Sequence, residues 1–424
     1  MSNEQVAMSN ERKQSKLDEL IQQYCPDGVP NKTLGELGKF FGGLTGKSKD
    51  DFTDGNAKFI TYKNVYANPA LQIDVEDRVK IAGGEKQRTL QYGDVVFTGS
   101  SETPDECGIS SVVTVKTEEK LYLNSFCFFF RFDDLSIMLP DFAKHLFRSN
   151  ELRYQIGKTA SGVTRYNVSK KLMEKVSIPV PPLPVQSEIV RILDNFTELT
   201  AELTAELTAR KKQYEYYRNK LLSFNELIKS GGCQLKKLRE IAEYSHKRIN
   251  AIAMKKDNYV GVDNLLPNKA GKVGSNYVPT KGNLTAYVIG DVLIGNIRPY
   301  LKKIWLAYNE GGASGDVLVI HLIDQSVDVK YLYQVLADDK FFNYNMQFAK
   351  GAKMPRGSKQ KIMDYIIPVP SLEEQRRIVS ILDKFDMLTT SISEGLPKEI
   401  ELRRKQYEYY RNQLLSFPDN KATA

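Results

Sequence analysis

The sequence predicts an α/β (α+β) architecture: two mixed α/β domains joined by two long antiparallel helices in a coiled coil, with a pseudo-twofold internal repeat. Three observations predict it. The block VSIPVPPLPVQSEIVRILDNF at 176–196 returns as YIIPVPSLEEQRRIVSILDKF at 365–385, an offset of 189 that matches Ile178 to Ile367, Gln186 to Gln375 and Phe196 to Phe385. A second block, KKQYEYYRNKLLSF at 211–224, returns as RKQYEYYRNQLLSF at 404–417, now at an offset of 193. The two segments outside the repeats carry short β-prone runs punctuated by glycine, proline and asparagine.

Self-similarity of this kind divides the chain before any finer reading. Residues 1–32 form an N-terminal helical segment, 33–175 the first globular domain and 176–233 the central repeat helix. Residues 234–364 form the second domain, and 365–424 the C-terminal repeat helix.

Each repeat is helical by pattern. Apolar residues recur at 189, 192/193, 196, 199, 203 and 207 and then at Tyr214, Tyr217 and Leu221, and copy two repeats the series from 378 to Leu414. Spacings that alternate between three and four place one apolar stripe on a helix. Prolines stand just before each start, at Pro181–Pro184 and at Pro370. From Gln186 to Phe224 a continuous helix spans about 58 Å. Gly395 and Pro397 are positions where copy two bends or breaks. A stripe of this length needs a partner surface. Each helix can pack on its own domain, or the two can pack on each other; near-identity of the Tyr-rich ends favours the second. Copy one also holds the tandem Thr200-Ala-Glu-Leu203, Thr204-Ala-Glu-Leu207, in which each unit lengthens a helix by about 6 Å.

The two domains share landmarks. TLGELGKF at 33–40 resembles KLREIAEY at 237–244, and YGDVVF at 92–97 parallels IGDVLI at 289–294. The β-prone runs are Lys58–Val65, Val95–Thr98, Ser111–Val115 and Leu121–Phe132 in the first domain, and Asn258–Val262, Val292–Ile297 and Asp316–Leu322 in the second. Each domain also ends in a glycine- and cation-rich segment. The first runs Arg153-Tyr-Gln-Ile-Gly157-Lys158-Thr-Ala-Ser-Gly162-Val-Thr-Arg165-Tyr166, the second Phe348-Ala-Lys350-Gly351-Ala-Lys353-Met-Pro-Arg356-Gly357-Ser-Lys359. Small residues let a backbone approach a phosphate, Lys and Arg neutralise it, and Arg can also pair bidentately with guanine. A lone basic loop is ordinarily a solvated one. Two at matching positions make Lys158, Arg165, Tyr166, Lys350, Lys353, Arg356 and Lys359 candidate DNA contacts, with Arg298 of the Arg298–Lys303 run added.

Composition excludes more than it selects. The 424 residues carry 60 Lys and Arg against 52 Asp and Glu, a formal charge of +8. That excess suits a polyanion partner without demanding one. Four scattered cysteines without a CxxC pair and three distant histidines support neither a zinc site nor histidine acid–base chemistry. Gly42-Gly-Leu-Thr-Gly46-Lys47-Ser48 misses a phosphate loop by one residue, because Phe41 stands where glycine is required. There is no HExxH, no GxSxG and no Asn/Asp-Pro-Pro-aromatic motif, and Asp94, Asp291 and Asp316 have no evident partners in sequence. No catalytic residue and no metal site are expected. With no apolar run of membrane length and a polar N-terminus, a cytoplasmic location and no membrane partner are expected.

With the IPVP-x-x-x-x-Q-x-x-IV-x-ILD-x-F blocks, the KQYEYYR-N-x-LLSF blocks and the Thr-Ala-Glu-Leu tandem in hand, the chain resembles the specificity (S) subunit of type I restriction–modification enzymes, the type IC branch in particular. The resemblance implies a non-catalytic subunit whose globular domains are target recognition domains. Each would read one half of a bipartite site in double-stranded DNA, with the tandem count tuning the gap. It implies that the helices dock two modification subunits, with Tyr214, Tyr217, Arg218, Tyr407, Tyr410 and Arg411 as the candidate contacts, and that restriction subunits join that core. S-adenosylmethionine, ATP and magnesium would then bind the partner subunits, and no cofactor this chain. A structural coiled-coil adaptor that binds two protein partners without DNA is the competing reading.

Overall fold

The computed structural model describes residues 16–229, 232–390 and 395–417. The chain divides into two compact units, 1–204 with 399–424, and 205–398. Each unit therefore holds one globular domain, one end of the central helix and a piece of the other repeat.

In the first unit a four-stranded antiparallel sheet runs in the order Gly38–Gly42, Cys127–Phe132, Val95–Thr98, Ser110–Val112. A second four-stranded sheet contains Ala57–Ile60 and Leu121–Leu123 paired in parallel. Phe97, Phe128 and Phe130 fill the core beneath the first sheet, together with Val185, Ile189 and Leu193 from the central helix. The run Lys58–Val65 is half strand only. It turns helical at Tyr62–Ala67, because the Thr61 side chain caps the turn by accepting from the Asn64 amide. The run Leu121–Phe132 is likewise two strands, divided at Asn124, whose side chain accepts from the Phe126 amide.

The second unit repeats the plan. Ala242–Tyr244, Val317–Leu322, Val292–Gly295 and Ile304–Leu306 form an antiparallel sheet, and Arg248–Asn250, Asn283–Tyr287, Gly311–Ala313 and Tyr259–Val260 form another. The shared landmarks have a shared structure. TLGEL and KLREI are short helices, each opened by a Glu that accepts from the backbone three residues earlier: Thr33 N to Glu36 at 2.7 Å and Lys237 N to Glu240 at 2.6 Å. Each such helix follows a strand that pairs with the IPVP segment, Asn31–Thr33 with Ser177–Pro179 and Cys233–Lys237 with Ile366–Pro370.

The central repeat is one helix, Leu183–Leu221, followed by the short helix Phe224–Lys229. Copy two is two helices, Leu372–Thr390 and Leu396–Leu414. Gly395 between them adopts φ +102°, and Pro397 in the first turn of the second helix lacks an amide proton, so the break falls where both residues permit it. In each unit the start of one repeat packs beside the end of the other, as an antiparallel repeat requires. Phe196 stacks on Tyr410 at 5.2 Å in the first unit; Phe385 stacks on Tyr214 at 5.9 Å and on Tyr217 at 5.8 Å in the second. No helix among the described residues is long and apolar enough to cross a membrane.

Candidate nucleic-acid interface

The two cation-rich segments are equivalent hairpins. In the first domain Ala160–Ser161 pairs with Tyr166–Val168, which pairs in turn with Ser100–Ser101. In the second, Lys350 bridges Arg356, and Arg356 bridges Ile297. Gly162 and Gly351 open the two tips, with φ of +151° and +109°. A Cβ on Gly162 would overlap the Arg165 carbonyl oxygen, so this turn closes only around glycine.

The candidate cations stand on these frames. The Arg165 Nε donates to Ser100 Oγ at 3.2 Å, and its guanidinium lies 5.5 Å from the Phe126 ring centre. Arg165 is nonetheless exposed, and Val163 in the same turn is 91% exposed. A cleft lined by Tyr62, Ser101, Glu102, Glu106, Phe126 and Arg165 opens here. Lys158 follows the helix Asn150–Gly157 and lies 4.0 Å from the Tyr154 ring centre, and Tyr166 is half-buried in its strand. In the second domain Lys350, Lys353, Arg356 and Lys359 are all exposed, with Arg356 held 3.1 Å from Asp316 and Lys359 opening the helix Lys359–Met363. Exposed Arg298 sits next to this hairpin, its amide donating to Pro355 O at 2.7 Å. The structure thus gathers Lys350, Lys353, Arg356 and Arg298 on one hairpin and its neighbouring turn, and Arg165 and Tyr166 on the other. Sequence reading passed over Phe126 and Tyr62, which reach the first cleft from the distant segments that precede it.

The carboxylates without evident partners in sequence are paired in the fold. Buried Asp94 accepts from the Gln91 amide at 2.7 Å and from Arg131 at 2.8 and 2.7 Å, while burial pushes its carboxyl pKa up. Asp291 accepts from the Val288 amide at 2.9 Å and lies 2.7 Å from His321 Nδ1. Each closes the turn before its strand. The shared Gly-Asp-Val landmark is therefore a fold feature; the cross-strand partners Arg131 and His321 are far in sequence and invisible to a motif search.

Of the repeat residues singled out for partner contact, Tyr214, Arg218, Tyr407 and Arg411 make polar contacts within this chain, while Tyr217 stacks on Phe385 and stays 38% exposed. The Tyr407 hydroxyl lies 2.8 Å from His145 Nδ1, and His145 Nε2 lies 2.7 Å from Asp194. Arg218 is 7% exposed and donates to both the side chain and the carbonyl of Gln334 and to the Tyr214 hydroxyl. Arg411 donates to Asn150 Oδ1 at 3.3 Å. The most exposed tyrosines of these blocks are Tyr216 and Tyr409, at 61% and 63%. The period marks them: both lie off the apolar stripe.

The comparisons with known proteins agree with this duplicated plan. The family model for the type I restriction modification DNA specificity domain matches residues 26–210 and again 224–402. The EcoR124I/EcoR124II specificity subunit of Escherichia coli is 36% identical over 285 residues, covering 59% of this chain and 65% of its own. A putative type I restriction enzyme specificity subunit of Haemophilus influenzae is 34% identical over 284 residues, covering 61% of this chain and 68% of its own. The chain thus spans about two thirds of these relatives. An S subunit of a type I restriction-modification system from M. genitalium shares the fold at TM-score 0.51 and 16% identity, over 92% of this chain and 96% of that one. A chain from a structure of type I R-M complex assembly shares it at TM-score 0.59 and 15% identity, over 92% and 97%. With both halves matched, this chain belongs to the type I restriction modification DNA specificity domain family.

Proposed function

We propose that this chain is the DNA sequence-recognition subunit of a type I restriction–modification complex. Each globular domain reads one half of a bipartite site, the repeat helices set the gap between the halves, and the same helices dock two modification subunits, onto which restriction subunits assemble. The chain itself is non-catalytic. S-adenosylmethionine, ATP and magnesium bind the partner subunits, which together methylate adenine and cut DNA.

The observation that carries this reading is the pair of equivalent hairpins, each presenting exposed cations beside a glycine tip. Duplicated backbone-binding elements suit two half-sites on one duplex. The test exchanges residues 33–175 for the same region of a relative and sequences the methylome of a host carrying the hybrid with its modification partner. One half of the methylated site should change, and the other half and the gap should persist. An unchanged site, or the loss of both halves in a folded hybrid, overturns the reading. DNA affinity that falls steeply with salt separates it from a protein-only adaptor.

A further inference from the structure

Four non-glycine residues among the described ones adopt left-handed backbone conformations, and all four stand together. They are Asn268, Lys269, Arg298 and Lys302, with φ of 55°, 63°, 52° and 51°. The Asn268 amide donates to Leu301 O at 2.8 Å and the Lys269 amide to Lys302 O at 2.9 Å, so the two strained pairs hold each other. The Asp339 carboxylate ties the same pair of loops, lying 2.7 Å from Lys269 Nζ and 2.8 Å from Lys302 Nζ. The left-handed region is disfavoured for residues that carry a Cβ, for Lys and Arg more than for Asn. Strain of this kind, concentrated at one turn and over-determined by its surroundings, marks a place held for function. Arg298 and Tyr300 are the side chains this turn holds out, both exposed, on either side of buried Pro299. Asp339 occupies Lys269 and Lys302, whereas the Arg298 guanidinium forms no hydrogen bond or ion pair among the described residues.

The turn comes after the strand Val292–Gly295 and abuts the hairpin through Ile297 and the bond from Arg298 to Pro355. The equivalent place in the first domain comes after Val95–Thr98 and abuts its own hairpin through Ser100 and Ser101. There the chain reads Glu102-Thr-Pro-Asp-Glu106, with Glu106 accepting from Tyr66 and Ser101 and no cation in the loop. The hairpins are common to both domains and so suit what any two half-sites share, the phosphate backbone. The segments beside them occupy one position in the fold and carry opposite charge. Contacts that differ where the frame is the same are the ones able to tell half-sites apart.

Resting on the recognition role proposed above, we infer that the Arg298–Lys302 turn is the base-reading element of the second domain, with Arg298 directed at a guanine. The pre-set turn loses little freedom on binding, and the guanidinium fork matches the guanine O6 and N7 acceptors in the major groove.

The test selects bound sequences from a random DNA library with the full chain, alone and with its modification subunits. Wild type is compared with Arg298→Lys, Arg298→Gly and Lys353→Ala. The lysine keeps the charge and lacks the fork; the glycine fits φ near +52° without strain. Both Arg298 variants should lose roughly 10- to 100-fold of the preference for guanine at one position of one half-site. The other half-site should be unchanged, which also reports that the chain is folded. Lys353→Ala should weaken all sequences alike. If both Arg298 variants select the wild-type bases at every position, the assignment of this turn falls while the recognition role stands. If wild type selects no sequence, the recognition role falls and the assignment with it.

Discussion

Gln186 and Gln375 make the same three hydrogen bonds at equivalent positions of the two repeats. Gln186 Oε1 accepts from the Leu139 amide at 2.8 Å, and its Nε2 donates to Ile137 O and Pro181 O at 2.7 Å each. Gln375 accepts from Asp328 N at 2.7 Å and donates to Ser326 O at 2.9 Å and Pro370 O at 2.8 Å. Every partner is related by the offset that relates the glutamines. Both are fully buried and pin the start of a repeat helix to the domain loop beside it. Replacing Gln186 or Gln375 with leucine strands one amide and two carbonyls away from water. Each change should cost about 2–3 kcal/mol. Urea unfolding of each variant checks this, and a loss below about 0.5 kcal/mol would show that water replaces the amide without penalty.

This relationship also shows what the sequence made legible. The repeats, the helical stripe and the break near Gly395 follow from spacing and from residues with fixed backbone preferences. So does the equivalence of the cationic segments, because a duplicated hairpin keeps its glycine. The halves of the cross-strand pairs Asp94–Arg131 and Asp291–His321 lie 37 and 30 residues apart, and nothing local joins them. The tyrosines show a different limit. Their periodicity puts Tyr214 and Tyr407 on the buried face, yet whether that face meets this chain or another is decided by Phe385, which stacks on Tyr214, and His145, which meets the Tyr407 hydroxyl, both in other elements.

His145 makes the first unit sensitive to acid. It is 1% exposed, and burial drives its pKa down, opposed by the bond to Asp194; Lys144 pushes the same way as burial and Asp141 the other. The Tyr407 hydroxyl faces its second nitrogen. A depressed histidine pKa means the folded chain keeps the ring neutral while the unfolded chain protonates it. Stability is then full above about pH 6.5, the unfolded value, and falls as pH drops from there toward the folded value. The Asp194 carboxyl, held low by His145 and Lys144, adds its own loss only in strong acid, below the usual aspartate range. His145→Gln installs the residue found at the equivalent position 334. It should flatten the stability profile between pH 6.5 and 5, measured by urea unfolding at a series of pH values. An unchanged slope would show that the ring takes a proton in place.

Gly357 lies under the second hairpin, where a Cβ would overlap Asn345 Oδ1 and crowd Asn296 Oδ1 at 2.8 Å. Both asparagines are buried and neither oxygen has a protein partner. Gly357→Ala should therefore push the hairpin outward, costing about 1–3 kcal/mol of stability. Its effect on DNA should be confined to the half-site read by the second domain. Footprinting on a bipartite site reads this directly, and equal weakening of both halves would mean the change acts through the whole chain.

The Thr-Ala-Glu-Leu tandem lies inside the uninterrupted helix Leu183–Leu221, where the Thr200 and Thr204 hydroxyls donate to the carbonyls four residues earlier at 2.8 and 2.7 Å. A third unit meets no obstacle to propagation: alanine, leucine and glutamate are strong helix formers, and the threonine hydroxyl bonds within the helix. Four residues add about 6 Å and rotate the remainder of the helix by about 40° beyond one full turn. A displacement of that size corresponds to between one and two base pairs, at about 3.4 Å each. Inserting one unit after Leu207 should therefore widen the gap between half-sites by one or two base pairs and leave both halves as they are. Methylome sequencing measures gap and halves together. A widened gap with an altered half would place part of the reading on the helix, and an unaltered gap would show that the helix does not set it.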